Sequence, residues 1–149
     1  MKKIICFLFI ILVATVSIAA AAKARSFYLT KDKFNGSHTL TACAEGYHMA
    51  SFWEIVDVSN LRYDTTLGLT REDSGSGPPL GDGWIRTGYF ASTANDAGLG
   101  NCQAWTTDSA SANGSTVTLN GLWFNLVGNM WSAGALTCAN NVNVWCVQD

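Results

Sequence analysis

Proline is scarce in this 149-residue sequence, its two prolines standing side by side as Pro78-Pro79, and charge is scarce as well, at 13%. With 48% apolar residues, that composition excludes a disordered chain, and the length excludes a multidomain enzyme. Basic residues are few: from Arg25 onward six Lys/Arg face eleven Asp/Glu. A net acidic chain with scattered cations is unsuited to nucleic acid or other polyanions. Histidine is limited to His38 and His48, neither at zinc-finger spacing, and no Cys-x-x-Cys pair occurs. Also missing are Gly-x-Ser-x-Gly, His-Glu-x-x-His and a phosphate loop, so neither an enzyme nor a cofactor or metal is expected.

Only one long apolar run is present, residues 4–22 behind Lys2 and Lys3. A positive start, an apolar stretch and the small residues of Ala22-Lys23-Ala24 have the order of a cleaved export signal. The expected organisation is a signal peptide over 1–24 and one domain over 25–149, secreted to an extracellular or periplasmic space with no membrane contact after cleavage. A retained anchor is the competing reading, since spanning a bilayer takes about 20 apolar residues. Four cysteines remain beyond it: Cys43, Cys102, Cys138 and Cys146. An even number in a small exported domain points to a disulfide framework, and spacing leaves all three pairings open.

Residues 27–30 read as a first strand and 40–47 as a brief helix carrying Cys43. Ser51 and Glu54 have capping-box spacing ahead of Phe52, Ile55, Val56 and Ser59, which predicts a helix over 52–60. The Gly/Ser/Pro-rich stretch 71–83 reads as a long loop. Strands are expected at 83–88, 103–106 and 116–119. Asn120-Gly121 is a hairpin signal that would pair 116–119 with 122–124. In the last strand, 141–147, Val142, Val144 and Cys146 share one face and Trp145 and Val147 the other, so a central position is expected.

Four segments carry a resemblance. Cys43-Ala44-Glu45-Gly46-Tyr47-His48-Met49-Ala50-Ser51 resembles the end of the first helix of C-type lectin-like domains, Trp84-Ile85-Arg86-Thr87 resembles their Trp-Ile-Gly-Leu strand, and Cys138 to Cys146, ending in Trp145-Cys146-Val147, resembles their last strand. Cys102-Gln103-Ala104-Trp105 is similar to the Cys-x-x-Trp of the endostatin-like branch, that of the C-terminal domains of collagens XV and XVIII. The resemblance implies an α+β C-type lectin-like fold with two short helices early, a small antiparallel sheet with long loops, nested bridges Cys43–Cys146 and Cys102–Cys138, and termini brought together in one sheet. It does not imply the calcium-and-sugar site. The Glu-Pro-Asn or Gln-Pro-Asp and Trp-Asn-Asp motifs of that site are missing, as are counterparts of endostatin's zinc histidines and heparin-binding arginines.

The residue types that remain for recognition are aromatic and amide. Six tryptophans occur, and flat Trp faces stack on sugar rings and apolar groups. Trp53, Trp84, Trp105 and Trp145 fall on elements expected to face the core, which leaves Trp123 and Trp131, with Asn125 and Asn129, as ligand-binding candidates. His48 is expected to be a buried structural residue, and His38 a solvated one. Glu72, Asp73 and Asp82 match no calcium-loop spacing. Asn35-Gly36-Ser37 and Asn113-Gly114-Ser115 match the glycosylation acceptor. The expected function is a secreted, non-catalytic binding module that meets a protein or glycan partner through its long loops without calcium. The alternative is a structural protein that self-associates at a surface.

Overall fold

The computed structural model describes residues 23–70, 81–86, 101–119 and 131–149. Its seven strands are β1 (Arg25–Leu29), β2 (Tyr47–Met49), β3 (Leu61–Tyr63), β4 (Asp82–Trp84), β5 (Asn113–Leu119), β6 (Trp131–Thr137) and β7 (Asn143–Gln148). They form a single sheet of order β3-β1-β7-β4-β5-β6, with β2 also paired to β7. The sheet is mixed: β1 runs parallel to β3 and β4 parallel to β7, while β1/β7, β2/β7, β4/β5 and β5/β6 are antiparallel.

β7 is central, as its two apolar faces require. One of its edges takes β1, with Leu29 opposite Trp145. The other takes β4 at Asn143 and Val144 and then β2 from Cys146 to Gln148, so β4 and β2 lie end to end. Each side of the sheet carries its own core. Phe27, Leu29, Phe52, Ile55, Ile85, Val117, Trp145 and Val147 pack on one face. Tyr28, Met49, Trp84, Cys102, Trp105, Cys138, Val144 and Cys146 pack on the other. Buried indoles keep their N–H groups satisfied: Trp145 donates to the Val117 carbonyl at 2.8 Å and Trp84 to that of Phe34 at 2.8 Å.

Two bridges, Cys43–Cys146 and Cys102–Cys138, are in place with the pairing that the resemblance implies. The fold class is different. The expected small antiparallel sheet is a mixed sheet of seven strands, and the expected pair of early helices is missing, so the C-type lectin-like assignment is not kept. Only α1 (Phe52–Val56) is an early α-helix, and it has five residues. Its capping box forms as read, the Ser51 side chain accepting from the Glu54 amide while Glu54 accepts from the Ser51 amide. It stops short of residue 60 because the Asp57 carboxylate captures the Ser59 amide at 3.2 Å and its hydroxyl at 2.6 Å. That local bond competes with the helical ladder, and a tight 3-10 turn follows at Val58–Asn60.

Residues 40–47 do not form a helix either. A 3-10 turn at Thr39–Thr41 ends there, and Gly46 at φ 79° turns the chain into β2. Residues 103–106 are not a strand. Cys102, Gln103, Ala104 and Trp105 all have φ between 52° and 61°, a single left-handed helical turn, α2 (Cys102–Trp105). The expected hairpin is also displaced. β5 lies between β4 and β6 and pairs Leu119 with Trp131, while residues 122–124 lie outside the described residues.

Candidate binding surface

Trp53 follows directly on the first residue of α1. Phe52 and Ile55 face the core, with Phe52 6% exposed and Ile55 fully buried, and the helical turn between them throws Trp53 outward. Trp53 is 71% exposed, against the expectation that it packs inside. Trp131, the first residue of β6, is 38% exposed. Both indoles meet the Phe52 ring edge to face, Trp53 with centroids 5.1 Å apart and Trp131 with centroids 5.0 Å apart. One buried phenylalanine therefore carries two outward tryptophans from separate elements, a geometry that holds the rings in place without covering them.

Beside Trp53, Glu54 is the hub of a polar network. It accepts the Ser51 hydroxyl at 2.9 Å and the Ser51 amide at 3.1 Å, and its other oxygen lies 3.1 Å from His48 Nε2 and 3.3 Å from an Arg25 guanidinium nitrogen. His48 Nδ1 lies 2.6 Å from Asp149. Partial burial favours the neutral form of Glu54, but the Ser51 amide, the Ser51 hydroxyl and the His48 ring outweigh it and bring the carboxyl down to about 2. His48 is thus half-exposed and bracketed by carboxylates, where a buried histidine was expected. Its two nitrogens and the Ser51 hydroxyl are already engaged with Glu54 and Asp149, and the group ties α1, β2 and the end of β7 together.

The other tryptophans on core-facing segments are placed as read: Trp84 and Trp145 are fully buried and Trp105 is 3% exposed. Of the ligand-binding candidates, the structure places Trp131; Trp123, Asn125 and Asn129 lie outside the described residues, as do Glu72 and Asp73. Asp82 accepts a hydrogen bond from the Thr118 hydroxyl. His38 is exposed and bonds Asn35. Among the described residues no group of three or more His, Cys, Asp or Glu side chains is arranged to hold a metal ion, and no helix is long and apolar enough to cross a membrane. Trp53 is the residue that sequence reasoning missed. Its signal was present, because a helix that buries Phe52 and Ile55 turns position 53 away from the core.

Comparisons against protein-family models, curated proteins and solved structures return no match.

Proposed function

We propose that this chain is an exported, non-catalytic binding module that meets a protein or glycan partner at an extracellular surface through an aromatic platform, Trp53 and Trp131, without calcium or another cofactor. The observation that carries this reading is the exposure of two indoles held on one buried ring. Outward tryptophan is costly to leave in water, and such patches on small domains mark contact sites. The two disulfides are compatible with export into an oxidising space. The acidic balance of the chain argues against a nucleic-acid partner.

A glycan array and a cell-surface binding assay with the wild type, Trp53→Ala and Trp131→Ala test the reading. Loss of about tenfold or more in binding by either variant, with its fold retained, is expected, each ring supplying contact energy on the order of 1–3 kcal/mol. Binding that survives both substitutions overturns it. Self-assembly is favoured by a separate feature. Among the described residues β6 ends the sheet, and its segment WSAGALT has seven residues with no charge and no proline to discourage edge pairing. Concentration-dependent association in size-exclusion chromatography, abolished by Ser132→Lys at an exposed position of β6, would favour that role.

A further inference from the structure

The face of the sheet that does not carry Phe52 has an open cleft of about 270 Å³, lined among others by Tyr28, Lys31, Asp32, Phe34, Ala44 and Leu67. Its walls are fixed from both sides. The Asn143 amide donates to the Thr30 carbonyl at 2.7 Å, and the Thr30 hydroxyl donates to the Asp32 carbonyl at 2.7 Å, so the backbone under Lys31 and Asp32 is held in place. The opposite wall, 42–44, is anchored by the Cys43–Cys146 bridge and by the Ala44 amide, which donates to the Tyr28 hydroxyl at 2.7 Å.

The Tyr28 hydroxyl is the group that is incompletely used. Tyr28 is 3% exposed, and its oxygen accepts the Ala44 amide, yet among the described residues nothing accepts its proton. Lys31 donates once, to the Thr66 carbonyl at 2.8 Å, which leaves two of its three donors. The Asp32 carboxylate has no protein partner among the described residues, and it accepts only. Phe34, Leu67, Ala42 and Ala44 supply apolar surface.

We propose that this cleft binds one pyranose ring, as a free sugar or as a residue of a glycan. Its ionic groups cancel, so it selects for a neutral guest. Its polar groups are donors and acceptors around a small apolar wall, and a pyranose hydroxyl both donates and accepts while the ring C–H face covers apolar carbon. A zwitterionic amino acid is the rival guest, but Lys31 and Asp32 are exposed, where an ion pair adds about 0–1 kcal/mol. The volume is at the small end for ligand sites and suits a single ring rather than a chain. The cleft stands apart from Trp53 and Trp131, on the other face of the sheet, and the two assignments succeed or fail separately.

The test is amide chemical-shift mapping on the disulfide-bonded protein, titrated with the methyl pyranosides of glucose, galactose and mannose and with N-acetylglucosamine, and in parallel with glycine and with sodium acetate. At least one sugar is expected to move the amides of Thr30, Ala42, Ala44 and Leu67 with saturation in the millimolar range. Asp32→Ala, which breaks no protein contact of that side chain, is expected to weaken binding by about fivefold, the share of one ordinary hydrogen bond at an exposed acceptor. Tyr28→Phe should weaken it as well, and Trp53→Ala/Trp131→Ala should leave the cleft shifts unchanged. Cleft amides that ignore all four sugars, that respond to glycine or acetate instead, or that respond equally in Asp32→Ala overturn the proposal.

Discussion

Glu54 shows how one side chain joins local and tertiary structure. It closes the capping box of α1, and it reaches His48 on β2 and Arg25 on β1. Its carboxyl is held near 2 in the folded protein, below the ordinary range of about 4.5, so the folded state binds fewer protons than the unfolded one between those values. The stability it contributes is therefore complete above about pH 4.5 and is lost as pH falls toward 2. Urea unfolding across that window should show a falling midpoint in the wild type and a flatter profile in Glu54→Gln. At the alkaline end, burial pushes the Tyr63 phenol up to about 12, with Asp64 adding to the rise against the opposing Leu29 amide bond. Because the unfolded phenol ionises near 10, stability should decline as pH rises from about 10 to 12, and Tyr63→Phe should blunt that decline. The capping pair was legible in the sequence because it is a contact over three residues. The network beyond it, Glu54 to His48 and Arg25 and His48 to Asp149, was not, since no spacing links residues 25, 48, 54 and 149.

At the scale of elements, α2 is the departure that residue preferences oppose most. Left-handed conformation costs a non-glycine residue about 1–2 kcal/mol, and four in succession persist only where the surroundings hold them. Here Cys102 is bridged to Cys138, and Trp105 is buried with its ring 5.6 Å from that of Trp84. The Asn101 side chain caps the turn by accepting from the Ala104 amide at 3.0 Å. Gly36 and Gly114 make room: a Cβ at either would come within 2.5 Å or 2.7 Å of the Cys102 sulfur. The glycines inside both Asn-Gly-Ser tripeptides thus serve the bridge. Gln103 and Ala104 are exposed, so Ala104→Gly should relieve local strain and raise stability by up to about 1 kcal/mol in chemical denaturation. In a right-handed turn the same change would lower it by about 1 kcal/mol. The alternation of β7 was legible because period two is a property of the chain itself, and α2 was not because its handedness is imposed by a partner 36 residues away.

For the molecule as a whole, long-range covalent ties stand in for regular structure. The Cys43–Cys146 bridge spans 103 residues and should be worth about 5 kcal/mol through the unfolded state, and Cys102–Cys138, spanning 36, about 4 kcal/mol. Removing either pair as Cys→Ala double variants should lower thermal stability in that order, measured by circular dichroism, and reduction of both should unfold the domain. Both sheet faces are covered by side chains from distant segments, so the strand order could not be read from neighbours in sequence. β4 and β7 pair in parallel across about 60 residues, and β2 continues the same edge. The short motifs that resemble C-type lectin-like domains kept their disulfide pairing and lost their fold class, because a few matched residues constrain which cysteines meet far more than how the strands between them are ordered.

The sequence by itself determined the properties that depend on composition and on contacts a few residues apart: an acidic balance beyond residue 24 with four cysteines there for bridging, a capped turn of helix at Phe52, and a last strand apolar on both faces. Tertiary structure alone decided the mixed order of the sheet, the left-handed turn at Cys102, the carboxylates on either side of His48 and the cleft over Tyr28. It also decided that Trp53 and Trp131 share one supporting ring. The physical reason is the range of the interactions. Capping and alternation act within a few residues along the chain, whereas packing, bridging and burial bring together groups whose separation in sequence carries no signal.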